Sequence, residues 1–273
     1  PLEHIGLGSM RNIAIYGDKI VAATTDARIV ALSAVNGKKA WDVTIADRTK
    51  GYSNTSGPIV VKGKVIQGLQ GCTRYGTDRC FISAYDVNTG QQLWKFYTMA
   101  HNGEPGGDTW GKLEDNFRQG GETWIVGSAD PDLNLTYWGI GNPGPDWNPG
   151  QRPGDNLYTD SVVALDATTG ELKWHFQFTP NDGYDYDSVQ VPVLADLNWR
   201  GTPTKAMLWA NRNGNFYVLD RASGKFLLGA PFVKVNWMSG FDHDGRPMQT
   251  PQPPGMPTWP GNQGGTNWYS PSF

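Results

Sequence analysis

Three aspartates, Asp182, Asp185 and Asp187, fall within six residues in the run Asn181-Asp-Gly-Tyr-Asp-Tyr-Asp187. Asp185 and Asp187 point to the same side if that run is extended. Carboxylates so close repel one another unless a cation or a shared proton compensates. A hard cation with oxygen ligands would do so, although a solvated acidic loop at a strand end would read the same way. Four further segments carry groups with chemical use. Trp138-Gly-Ile-Gly-Asn142-Pro-Gly-Pro ends a strand on an amide that either shapes a turn or lends its oxygen to a cation. Gly120-Gly-Glu-Thr-Trp124 sets a large aromatic after two glycines, which permits a flat stacking surface or packing between sheets. Asn211-Arg-Asn-Gly214 places Arg212 in a tight turn, either exposed or as a fixed donor to an anionic ligand. Thr266-Asn267-Trp268 is another polar–aromatic pair after Gly-Gly. His4, His101, His175 and His243 form no ligand-like cluster, and no Ser/His/Asp set, phosphate loop or paired CxxC is present.

The elements that position these groups are announced by a repeat. Ala31-Leu-Ser-Ala-Val-Asn-Gly37-Lys-Lys-Ala-Trp41 recurs as Ala84-Tyr-Asp-Val-Asn-Thr-Gly90-Gln-Gln-Leu-Trp94, as Ala164-Leu-Asp-Ala-Thr-Thr-Gly170-Glu-Leu-Lys-Trp174 and as Val218-Leu-Asp-Arg-Ala-Ser-Gly224-Lys-Phe-Leu-Leu228. Each copy reads as a strand end, a turn whose Gly takes positive φ, and the start of the next strand. The Trp lands at a fixed offset, so it can dock in the same place in each unit. Strand-rich repeats at about 40–55 residues define a β-propeller. The expectation is an all-β propeller segment of about four blades, forming one domain over residues 1–273. The steps are 53, 80 and 54 residues, so the middle one holds insertions. Thr98–Gly121 and Asn142–Asn156 are the polar, Gly/Pro-rich candidates. Strands are expected at Thr123–Gly127, Leu135–Gly139, Ser161–Asp166, Leu172–Phe178, Val189–Ala195, Ala206–Ala210 and Asn215–Asp220, with almost no helical periodicity. Four such blades would leave open edges, and Gly264–Phe273 reads as the start of a fifth unit, so incompleteness at both ends is expected.

The net charge of −3 and the lack of a basic stripe argue against nucleic acid, and no apolar run approaches a membrane span. Cys72 and Cys80 flank a Tyr-Gly turn, and their polar neighbours favour a disulfide over two free thiols. A disulfide would imply an oxidising compartment, periplasmic or extracellular.

Taken together, the motifs resemble the quinoprotein alcohol dehydrogenases, propeller enzymes that use pyrroloquinoline quinone. The resemblance rests on the docking turns and on seven motifs in order: Gly121-Glu-Thr-Trp124, Asp130-Pro-Asp-Leu-Asn-Leu135, Gly141-Asn142-Pro-Gly-Pro-Asp-Trp-Asn148, Arg152-Pro-Gly-Asp-Asn156, Thr179-Pro-Asn-Asp-Gly-Tyr-Asp185, Asn211-Arg-Asn-Gly214 and Gly265-Thr-Asn-Trp268. It implies an eight-bladed propeller of about twice this length. Asp185 is implied as metal ligand and general base, Asn142 as amide metal ligand, Trp124 as the floor under the quinone, and Arg212 as the cation on the quinone oxygens. Asn267, Trp268, Arg11 and Thr55 are implied as further cofactor contacts. Asp187 matches the extra carboxylate of lanthanide-using members, while Thr73 stands where the family places a metal-binding glutamate, so calcium and a lanthanide both stay open. Glu122 stands where the family usually has threonine, and Cys72–Cys80 differs from the family's bridge between adjacent cysteines. The implied partners are a small alcohol, polyol or sugar, an electron acceptor such as a cytochrome c or quinone, and the rest of the propeller or a partner subunit. The competing reading is a non-catalytic scaffold like the outer-membrane assembly lipoproteins, which share the docking turns but have no reason to gather Trp124, Asn142, Asp185 and Arg212.

Overall fold

A computed structural model describes residues 10–72, 78–250 and 252–273. Four four-stranded antiparallel sheets follow one another along the chain, each in simple up-and-down order. The first contains β1 (Ile13–Tyr16), β2 (Lys19–Thr24), β3 (Arg28–Ser33) and β4 (Lys39–Thr44). The second contains β5 (Ile59–Val61), β6 (Lys64–Gln67), β7 (Phe81–Asp86) and β8 (Gln92–Tyr97). Before the third sheet the chain makes a short strand, β9 (Gln119–Gly120). The third sheet has β10 (Ser128–Asp130) and β11 (Leu135–Gly139). After β12 (Pro143–Gly144), which pairs with β9, it is completed by β13 (Ser161–Asp166) and β14 (Leu172–Gln177). The fourth holds β15 (Val193–Trp199), β16 (Thr202–Ala210), β17 (Asn215–Asp220) and β18 (Phe226–Pro231). A hairpin, β19 (Met238–Phe241) and β20 (Pro247–Gln249), follows in the Pro/Gly-rich tail.

The sheets stack face to face as propeller blades. Three apolar clusters lie between successive blades: Val21, Ile29 and Trp41 with Val65 and Phe81; Ile66, Ile82 and Trp94 with Trp138 and Val163; Tyr137, Val162 and Phe176 with Met207 and Tyr217. The repeated turn explains the stacking. Trp41 lies on Gly90, Trp94 on Gly170 and Trp174 on Gly224, each indole on the turn of the following blade. A Cβ on those glycines would meet the indole at 2.8, 2.6 and 2.6 Å. Each also has φ near +75°, so the position needs glycine on two counts. Trp41 Nε1 donates to the Val87 carbonyl at 2.8 Å and Trp94 Nε1 to Ala167 at 3.2 Å. At the third contact the Tyr137 hydroxyl takes the corresponding Arg221 carbonyl, and Trp174 Nε1 is buried without a partner.

Three strand positions differ from the sequence reading, and the first is β16, which starts at Thr202 rather than Ala206. Residues 123–127 form no strand: the Thr123 N–H and hydroxyl bond Leu69, which ties this stretch to the second blade, and pairing begins only at Ser128. The outer strand β15 starts at Val193 rather than Val189, because Ser188 is held in a single bridge to Ile140. The insertions of the long middle step carry short 3-10 turns and the β9–β12 pair. The Cys72–Cys80 disulfide is formed, with Cα atoms 5.3 Å apart.

Candidate active site

The third blade and the turns beside it build the site. The Ile140–Ser188 bridge sets the end of β11 beside the acidic turn that follows β14. Gly141 permits the approach, since a Cβ there would overlap Asp187 Oδ1. Asp187 Oδ1 then accepts the Asn142 N–H at 3.0 Å. From the β16–β17 turn, Arg212 donates to Asp187 Oδ2 at 2.7 Å and to Asp185 Oδ2 at 3.3 Å. The Trp124 side chain lies close enough to Asp187 to favour its charged form. The acidic turn is therefore not an extended segment: Asp185 has φ +63°, and a guanidinium gathers the two carboxylates.

Asn142 Nδ2 donates to Asp146 Oδ1 at 3.0 Å and to the Pro143 carbonyl at 3.2 Å. Both amide hydrogens are thus engaged, and Oδ1 is the atom left to act as a ligand. Burial pushes the Asp185 carboxyl up to about 6, the charges of Asp187 and Asp146 add to the rise, and Arg212 opposes it. Burial likewise raises Asp187, while Arg212, the Asn142 N–H and the nearby Trp124 side chain oppose the rise. A hard cation would relieve this repulsion, so two carboxylates and a free amide oxygen fit one.

Arg11 lies between two indoles, its guanidinium carbon 5.3 Å from the Trp124 ring centre and 5.1 Å from that of Trp268. Its Nη1 donates to the Thr55 carbonyl at 3.3 Å, while Nε is buried without a partner. Among the described residues no carboxylate pairs with it, and burial lowers its pKa. The Thr55 hydroxyl lies 2.7 Å from Gln70 Oε1 and 3.2 Å from the Trp124 carbonyl. Two indole faces around an unneutralised guanidinium suit a flat aromatic ligand bearing carboxylates. Asn267 serves its own turn, donating to Gln263 and accepting from the Trp268 N–H. Glu122 Oε1 accepts the Gly71 N–H at 3.0 Å and lies near the sulfurs of Cys72 and Cys80. Thr73 lies outside the described residues. A cavity of about 410 Å³ beside the site is lined by Cys72, Glu122, Asp146 and Trp147 among others.

Three groups, two of them fully buried, escaped the sequence reading. Arg152 is fully buried and bonds the Pro145 carbonyl at 3.3 Å, Asn156 Oδ1 at 3.0 Å and the Asp182 carbonyl. It ties the loop that carries Asn142 to the acidic turn; its Arg-Pro-Gly-Asp motif marked the family but suggested no role. Asp160 is fully buried with both carboxylate oxygens unpartnered, and burial with the nearby Asp182 charge raises it far above the carboxylate range. Nothing in Tyr158-Thr-Asp-Ser161 signals that. Asp146, inside a motif recognised for other reasons, is the partner that engages Asn142.

A carboxyl raised on folding stabilises the protein below its unfolded pKa and loses that contribution as pH climbs through the folded value. Compared with Asp185→Asn, the cation-free wild-type protein should lose stability between about pH 4 and 6, the rise of Asp185 from its ordinary value. The difference in melting temperature between the two, followed by calorimetry, should widen over that window and reverse when calcium or lanthanum is added. A difference that ignores pH would show that Asp185 is not strained.

The fold and these residues define a segment of a propeller that gathers a carboxylate pair, an amide and a stacking indole at one end of its blades. A family description, the beta-propeller domain of glucose, ethanol and alcohol dehydrogenases, matches residues 15–236, and the chain belongs to that pyrroloquinoline quinone family. It is 41% identical to the quinohemoprotein alcohol dehydrogenase ADH IIB of Pseudomonas putida, over 96% of this chain and 40% of that protein. It is 37% identical to the lanthanide-dependent methanol dehydrogenase of Methylacidiphilum fumariolicum, over 89% of this chain and 42% of that protein. The solved europium-containing methanol dehydrogenase superposes with a TM-score of 0.88 at 35% identity, covering 96% of this chain and 49% of that one. The chain thus spans roughly two fifths of the length of the curated relatives it matches.

Proposed function

We propose that this chain supplies the cofactor and cation site of a pyrroloquinoline quinone-dependent dehydrogenase that oxidises an alcohol, polyol or sugar hydroxyl to a carbonyl. The observation that carries it is the convergence of Asp185, Asp187, Asn142, Arg212 and Trp124, drawn from four separate turns. Docking turns alone would serve a scaffold, which has no use for two strained carboxylates.

In this reading Asp185, Asp187 and the Asn142 amide oxygen hold calcium or a lanthanide. Trp124 forms the floor of the cofactor site, Arg11 and Thr55 hold its carboxylates, and Trp268 with Asn267 closes its far side. A bound quinone would supply the hydride acceptor, and a bound cation the Lewis acidity, for this oxidation. Asp185 accepts the hydroxyl proton of the alcohol, a task its raised pKa suits near neutral pH. Arg212 fixes the Asp185 carboxylate and supplies positive charge where negative charge develops. The electron acceptor this reading implies is a cytochrome c or a quinone. The disulfide supports a periplasmic or secreted setting.

The test is metal analysis of the protein purified from its native source, with quinone assayed in the denatured supernatant. Stoichiometric quinone with calcium or a lanthanide is the expected result. Protein that holds neither, and takes up neither when both are supplied, would point to the scaffold.

A further inference from the structure

Asp185 occupies a left-handed backbone conformation, unusual for a residue with a side chain. Something must hold it there. The N–H groups on either side of Asp185 both end on one side chain: Tyr184 N–H donates to Asp182 Oδ1 at 2.8 Å, and Tyr186 N–H to Asp182 Oδ2 at 2.8 Å. Asp182 is fully buried, so no water competes for those bonds. Its own carbonyl is held by Arg152, which also bonds the Pro145 carbonyl next to Asp146, the partner of Asn142.

We propose that Asp182 is the positioning residue of the site, a buried carboxylate that clamps the turn around Asp185 and, through Arg152, holds it in register with the loop carrying Asn142. This rests on the reading of Asp185 as base and cation ligand. Only a carboxylate offers two acceptor oxygens in this fork. An amide would present its N–H2 to one of the two backbone N–H groups, losing one bond and setting donor against donor. Asp160 provides an internal control: it is an equally buried acid near Asp182 whose side chain makes no hydrogen bond to the turn.

The experiment compares Asp182→Asn and Asp160→Asn in the complete enzyme that contains this chain. Asp182→Asn should lower kcat at least tenfold with the KM for the alcohol within about twofold, and should weaken calcium binding to cofactor-depleted enzyme at least tenfold. Asp160→Asn should leave both near wild type. A folded Asp182→Asn enzyme with wild-type kcat and calcium affinity would overturn the proposal. In case that variant does not fold, hydrogen exchange on the wild-type enzyme provides an independent measure. The Tyr184 and Tyr186 amides should exchange at least a hundredfold more slowly than exposed amides, and exchange at the exposed rate would equally overturn it. Failure of the underlying reading looks different: Asp185→Asn would itself stay active or bind calcium normally, whatever Asp182→Asn does.

Discussion

An Asp185→Asn enzyme should fold normally and lose turnover by roughly 10²- to 10⁴-fold, the usual contribution of a positioned general base. The amide keeps the volume of the side chain and an oxygen within reach of Arg212, 3.3 Å from the present carboxylate. It loses basicity and one negative charge. The charge loss also relieves repulsion with Asp187 and Asp146, so the variant should be no less stable than wild type without a cation. Steady-state rates at saturating alcohol, with circular dichroism as the check on folding, decide the matter. A variant that keeps more than about a tenth of wild-type kcat would show that the proton leaves by another route.

The largest stability effect is expected at the docking tryptophans. Trp94 is buried between the second and third blades, stacked on Gly170 with its N–H on the Ala167 carbonyl. Trp94→Ala should cost about 3–5 kcal/mol, the range for deleting a large buried aromatic. That is a large share of the roughly 5–15 kcal/mol that stabilises a domain. Chemical denaturation should show an earlier midpoint, and an unchanged midpoint would mean that the indole is incidental to blade stacking. Trp174, whose N–H is unpaired, should lose less on truncation because no hydrogen bond goes with it.

These two sites also show what the residues alone disclose. The docking turns were legible because glycine and tryptophan answer to strict local geometry at fixed spacing, and the structure stacks each indole on the next blade's glycine. Blade count and sheet order followed from that. The strand expected at Thr123–Gly127 failed because its partner, Leu69, lies 54 positions away and replaces ladder pairing with side-chain and turn bonds. Within the candidate site, Asp185, Asp187, Asn142, Trp124 and Arg212 stood out by type, and the structure draws them together. Arg11 and Thr55 were reached only through the resemblance, whereas Trp268 also stood out as an aromatic after Gly-Gly; the three cluster around Trp124, while the Asn267 side chain bonds only within its own turn. What was not legible is the burial of two acids: Asp182 stood out by its place in the acidic turn, yet neither it nor Asp160 is marked in the sequence as buried, because burial depends on the packing of segments far apart in the chain.

The direction of the tryptophan contacts has a consequence for synthesis. Each indole rests on a turn made later in the chain, so no blade can cover its own outer strand until its successor exists. At about 5–20 residues per second, the second blade waits roughly 4–16 s for the 80-residue step that ends at Gly170, longer than its neighbours wait. During that interval Trp94 is bare, and the insertions that later carry the acidic turn's supports are still being made. The slowest-completed joint in the row is therefore the one beside the chemistry, and a holdase that recognises exposed indoles would find its target there on the growing chain.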